Sequence, residues 1–213
     1  MKGDVHIAIY HFNVKIVSRG KGASAVAKAA YISGEKIKNE YDGIIHDYRR
    51  KREIVHKEIL LPDNAPPHFK KRSVLWNAVE KSETRKNSQT ARHIDAALPV
   101  EISRSEQIDL VRHFCQQCFI SKGMCVDFAI HDKGDGNPHV HILLTTRNVD
   151  ESGFTKKERT WNDKSLLIEW RKLWADWCNH KLYFVSDKRI DHRSYEAQGI
   201  DKLPQKHLGA AAC

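Results

Sequence analysis

Residues 124–146 read MCVDFAIHDKGDGNPHVHILLTT, and this stretch decides the fold. Two apolar runs, 124–131 and 138–146, flank DKGDGN, a cluster of turn residues. The pattern predicts an antiparallel hairpin. Side chains alternate across a strand, so Val126, Phe128 and Ile130 share one face and Asp127, Ala129 and His131 the other. In the second strand Val140, Ile142 and Leu144 point to the core, while His139 and His141 point away. A tight return can set His131 beside both. A histidine alone on a strand is ordinarily a surface or core residue. Three on the non-core face, with no fourth protein ligand, predict an open coordination sphere of the catalytic kind.

Residues 92–99 (RHIDAALP) carry the same alternation. Ile94, Ala96 and Leu98 form a core face, and His93, Asp95 and Ala97 form a second one. A sheet face of His, Asp and small Ala predicts a substrate cleft with no helix packed on it.

The rest of the chain extends this plan. Residues 4–18 predict a long strand and Arg19-Gly20-Lys21-Gly22 a basic turn. Ser24 caps a short helix, SAVAKAAYISG, that stops at Gly34. Residues 41–61 predict a charged hairpin with strands near 43–48 and 53–61, and Pro66-Pro67 opens a long helix to about Thr90. Ser103-x-x-Glu106 is a capping box that starts a helix over 104–122. Cys115 and Cys118 lie on its apolar stripe with no second CxxC, which predicts core packing rather than zinc. Residues 164–183 predict a helix with Trp170, Trp174 and Trp177 on its core face. The expected class is α+β, an antiparallel sheet with helices largely on one face.

The chain has 213 residues, the length of a single domain. Lys and Arg exceed Asp and Glu by 36 to 27, a net charge of +9, and thirteen His stand in reserve. The basic excess favours a polyanion partner, above all nucleic acid. No run approaches a membrane-spanning length, and the N-terminus has no signal-peptide plan. Five Cys without such a signal fit reduced thiols in a cytoplasm. Disorder is excluded by five Trp, seven Phe and six Tyr that need burying.

Tyr31 is the nucleophile candidate. The Ala-rich surface around it is open to a bulky ligand, and Lys28 lies one turn before it. Arg19, Lys21 and the helix N-terminus can meet phosphate. Tyr31 could attack a phosphodiester to give a covalent phosphotyrosine. Plain packing is the ordinary fate of a Tyr in such a helix. Arg49, Arg50, Lys51 and Arg52 form a basic run that fits either a DNA-binding surface or a solvated hairpin.

Taken in order, SAVAKAAYISG, RHIDAALP, HDKGDGNPHVH and IDHRSYEAQGID (190–201) with HLG (207–209) resemble the MobA/MobL family of conjugative relaxases. These are HUH endonucleases, named for the His–hydrophobic–His motif. The resemblance runs from about Val5 to Gly209. It implies a central antiparallel sheet of about five strands flanked by helices. It implies a single catalytic Tyr, which falls on Tyr31, and a divalent cation, Mg²⁺ or Mn²⁺, held by His131, His139 and His141. The implied reaction nicks one DNA strand at a plasmid origin of transfer, keeps the 5′ phosphate on the Tyr, and later rejoins the strand. Single-stranded origin DNA, accessory relaxosome proteins and a coupling protein are the implied partners, in a bacterial cytoplasm. The family often carries acidic residues where this strand has His93 and Asp95; Asp95 keeps a carboxylate, as general base or as an orienting group for a ligand His. Relatives are often longer, so residues 1–213 read as one relaxase domain, either a small enzyme or the N-terminal part of a longer protein. A replication initiator of the same superfamily, a non-catalytic single-stranded DNA-binding module and a mononuclear zinc hydrolase are the competing readings.

Overall fold

A computed structural model describes residues 10–201. The beginning of the expected first strand (4–9), the HLG at 207–209 and Cys213 lie outside these residues. Five strands form one antiparallel sheet: β1 (Phe12–Ser18), β4 (Ile54–Leu60), β5 (Gln89–Ala97), β6 (Val126–His131) and β7 (His139–Leu144). Their spatial order is β1-β5-β7-β6-β4. The predicted hairpin is β6–β7, and both glycines of its turn, Gly134 and Gly136, take positive φ. Its core face carries Val126, Phe128, Ile130, Val140, Ile142 and Leu144, all fully buried. Against it pack α3 (Arg104–Cys118) and α4 (Lys164–Leu182), which bring Leu110, Phe114, Trp170 and Trp174. Ser103 closes the expected capping box at the start of α3. Cys115 and Cys118 are buried thiols in this core, and desolvation pushes Cys118 up to about 12.

Helices also cover the other face, contrary to the sequence expectation. A second core forms there from α1 (Ala25–Ser33), α2 (Arg72–Ser82) and the sheet residues Ala91, Cys125, Ala129 and Leu143. The small sheet residues that suggested an empty cleft let the Ala-rich α1 approach closely. Asp127 lies under α2. It accepts hydrogen bonds from Arg72 Nε and Nη2 and from Trp76 Nε1, each 2.8 Å long. At the end of this face that bears the histidines, His139 and Asp95 stay partly exposed.

Three further boundaries differ. The 41–61 hairpin does not form. Instead β3 (Ile45–Asp47) pairs with β2 (Lys36–Lys38), and β4 pairs with β6 at the sheet edge. The β2–β3 ribbon buries Ile37 and β4 buries Ile59, both in the core that α1 and α2 share. The long helix from Pro66 is a 3₁₀ turn at Pro67–Lys70 followed by α2, which ends at Ser82. No apolar stripe continues through ETRKNS (83–88), and pairing with β1 draws Thr90 into β5. A second ribbon joins β8 (Arg147–Asp150) to β9 (Gly153–Lys157), a polar segment whose composition gives no strand signal. Among the described residues no helix is long and apolar enough to cross a membrane.

Candidate active site

The site begins with strand register. His131 lies directly opposite His139, and His141 is opposite Ala129 on one side and Asp95 on the other. Side chains at i and i+2 share a face, so all three imidazoles converge. Their potential ligand atoms lie within 4.8 Å of one another. Ala129 and Ala97, facing His141 and His139, leave the rings room.

Each ring is held from behind. His131 Nε2 donates to the Ile32 carbonyl at 2.7 Å, and His139 Nδ1 donates to the Asn137 carbonyl at 3.1 Å. His141 Nδ1 lies 3.1 Å from His93 Nε2, the rings stack, and Asp95 Oδ1 stands 3.7 Å away. These partners leave Nδ1 of His131 and Nε2 of His139 and His141 for an ion. Burial lowers His131 to about 4 and His93 to about 3. Burial also lowers His141, with His93, His131 and His139 adding to the effect. His131 and His141 are therefore neutral near pH 7, the form that binds a metal. Three oriented imidazoles with an open side fit a divalent cation.

Helix α1 carries Tyr31 to the triad. Ser24 Oγ accepts from Ala27 N, and Gly34 ends the helix at φ 64°. A Cβ there would also meet Ile54 Cδ1 at 2.5 Å. Within α1, Ala25, Val26, Ala29, Ala30 and Ile32 are buried, whereas Tyr31 is 40% exposed. The His131–Ile32 hydrogen bond ties this helix to the metal-side histidine. It leaves the Tyr31 ring 6.4 Å, centroid to centroid, from that of His141. Tyr48 meets Tyr31 edge-on at 5.4 Å.

The basic residues divide. Lys28 Nζ is 5.4 Å from the Tyr31 ring centre, and burial and then Lys15 hold its ammonium below the usual value. Lys21 is exposed in the turn before α1. Arg49 and Arg50 are exposed, Arg49 on Asp47 at 2.6 Å. Arg19 departs from expectation. Its side chain is 7% exposed, and it donates to the Glu80 carboxylate and to the carbonyls of Glu80 and Glu83. Glu80 also accepts from Ala25 N at 2.7 Å. Glu80 therefore supplies the anion that both Arg19 and the α1 N-terminus call for, and neither faces a phosphate. Sequence reasoning takes Lys51 only as part of a charge run, yet its Nζ sits 3.6 Å above the centre of the Tyr31 ring. Nothing local in the sequence marks that approach, because the loop 48–53 must first fold over α1.

Comparisons with known proteins bear on the family and the fold. The family model described as MobA/MobL family matches residues 23–213. Conjugal transfer protein TraA of Agrobacterium fabrum is 37% identical over 97% of this chain and 22% of its own length. Probable mobilization protein MobA of Bifidobacterium longum is 33% identical over 97% of this chain and 44% of its own. The chain thus spans less than half of these relatives. A structure described as "Molecular Basis of Vancomycin Resistance Transfer in Staphylococcus aureus" superposes with TM-score 0.82 at 39% identity. It covers 88% of this chain and 100% of that one. The conjugative relaxase TrwC, metal-bound and in complex with oriT DNA, superposes with TM-score 0.54 over 92% of this chain and 87% of that one. At 8% identity that likeness is one of fold alone. By its family match and by its relatives, the chain belongs to the MobA/MobL family.

Proposed function

We propose that residues 1–213 form a relaxase domain that nicks one DNA strand at a plasmid origin of transfer by tyrosine transesterification and later rejoins it. The observation that carries this reading is Tyr31 at 6.4 Å from His141 within a cluster of three oriented histidines.

In the proposed step Tyr31 Oη attacks the scissile phosphorus. The P–O3′ bond breaks as the Oη–P bond forms, and the phenol's proton ends on the departing 3′ hydroxyl. No water is consumed, so the phosphodiester survives as a 5′-phosphotyrosyl bond and the reaction can reverse. His131, His139 and His141 would hold a divalent cation, which would supply neutralisation of the charge on the scissile phosphate. Three nitrogen donors suit a transition metal better than Mg²⁺, whose ligands are oxygens. Asp95, opposite His141 in the sheet, orients that ring from behind. Its position behind His141 supports this role above that of general base. Lys21, Lys28, Arg49 and Arg50 track the single strand on either side.

The same reading gives the domain a place within a longer mobilisation protein of the bacterial cytoplasm, with relaxosome and coupling proteins as partners. The lengths and names of the relatives support the first point, and four free, buried cysteines among the described residues support the second. The test is a denaturing gel of protein mixed with a panel of origin-like single-stranded oligonucleotides and Mn²⁺ or Mg²⁺. A covalent adduct that vanishes in Tyr31→Phe and in His139→Ala is expected. An undiminished adduct from Tyr31→Phe would remove the nucleophile assignment.

A further inference from the structure

Lys51 has no ordinary surface-lysine environment. Its side chain is 13% exposed, and its ammonium lies over the face of the candidate nucleophile. An ammonium has three donors. Among the described residues at most one of them has an acceptor, Glu53 at 3.1 Å, and Nζ makes no well-aligned hydrogen bond. A cation desolvated to this degree is costly unless an anion completes it. Glu53 itself is the more exposed partner and is held down to about 2, first by its own backbone N–H and then by Lys51. Its charge is thus shared with groups other than Nζ. Lys51 also lines a cavity of about 300 Å³ together with Ser33, Gly34, Ile54 and Lys57. Nucleophile and a lysine with unspent donors therefore meet beside the triad, with Glu53 answering only part of the ammonium's capacity.

We infer that Lys51 is a catalytic residue for the proposed reaction, donating to a non-bridging oxygen of the scissile phosphate while its charge holds the Tyr31 ring in place. The inference rests on the relaxase reading. Resting on the ring face, Nζ is one side-chain swing from an oxygen on a phosphorus bonded to Oη. The interaction persists in the phosphotyrosyl product, so it serves nicking and rejoining alike. Lys51 takes and gives no proton in the step. Cation–π attraction orients the ring before DNA arrives, and a charge-assisted hydrogen bond replaces part of it afterwards.

The test uses the oligonucleotide whose nick site the adduct assay maps. Under single-turnover conditions with saturating DNA, Lys51→Met should form adduct about 100-fold more slowly, the usual effect of deleting one donor to transition-state charge. Lys51→Arg should recover most of that rate. Binding separates a phosphate interaction from a structural role. In a Tyr31→Phe background, a neutral methylphosphonate at the scissile position should weaken binding when Lys51 is present. It should have little further effect in Tyr31→Phe/Lys51→Met. An adduct rate for Lys51→Met within threefold of the unmodified protein, or two reductions in binding that simply add, overturns the inference and leaves the relaxase reading standing. Absence of adduct from the unmodified protein on every oligonucleotide overturns both.

Discussion

Asp127 is the residue whose loss the fold should tolerate least. It is fully buried on β6, yet its carboxylate receives three hydrogen bonds, two from Arg72 and one from the Trp76 indole. The guanidinium also reaches Glu35, which follows the α1 cap. One carboxylate therefore anchors α2 on the sheet and, through Arg72, secures the end of the helix that carries Tyr31. Removing one partner of a buried ion pair costs about 3–5 kcal/mol, because the other charge stays desolvated and unpaired. The Arg72–Glu35 ion pair mitigates this, and the orphaned indole N–H adds to it. Asp127→Ala should accordingly cost about 4 kcal/mol, which for a chain of this size lowers the melting temperature by roughly 8–16 °C. The assay is urea unfolding followed by far-ultraviolet circular dichroism, with the slope m held as a check on two-state behaviour. Arg72→Met/Asp127→Leu removes both charges and should be more stable than Asp127→Ala, since no unpaired charge remains. A destabilisation under about 1 kcal/mol, the scale of an exposed ion pair, would refute the desolvation argument. So would a double variant as unstable as the sum of its singles, as the two residues would then be acting independently.

Three more outcomes are expected. His93 and His131 titrate below the ordinary 6.5, at about 3 and about 4, so the unfolded chain binds the extra protons as pH falls. Metal-free protein should then lose about 2 kcal/mol per histidine between pH 7 and pH 5; unchanged chemical denaturation over that range would contradict the buried, neutral rings. Arg19→Met should destabilise by about 3 kcal/mol, as removal of a buried partner does, and leave the salt dependence of single-strand binding unchanged. Reversing Arg49 and Arg50 to Glu should instead flatten the log–log salt slope by about 0.7 for each phosphate no longer neutralised; identical slopes in both variants would erase the distinction. Ser103→Ala should cost about 1 kcal/mol through the capping box of α3, and an unaltered urea midpoint would mean that Glu106 suffices alone.

Local pattern carried much of the candidate site. The period-two alternation in β5, β6 and β7 decides which face each side chain takes, and the short turn decides which residues stand opposite. His131, His139, His141, His93 and Asp95 therefore share a face for reasons confined to a few residues each. The caps of α1 and α3 were legible for the same reason, because a Ser acts on N–H groups two or three positions away. What covers that face was not legible. A small residue such as Ala129 suits an open cleft and a closely packed helix equally well, and the docking of α1 and α2 selected the second.

The sequence by itself determined β5, β6 and β7, the shared face of their histidines and the helix that bears Tyr31. Tertiary structure alone decided that Tyr31 meets His141, that Arg19 is spent on Glu80, and that Lys51 rather than Arg49 or Arg50 reaches the Tyr31 ring. The physical reason is range. Alternation and capping act through neighbours whose geometry the backbone sets. A charge chooses between solvent, a phosphate and a carboxylate 61 residues away by which desolvation is best compensated, and that choice leaves no local mark.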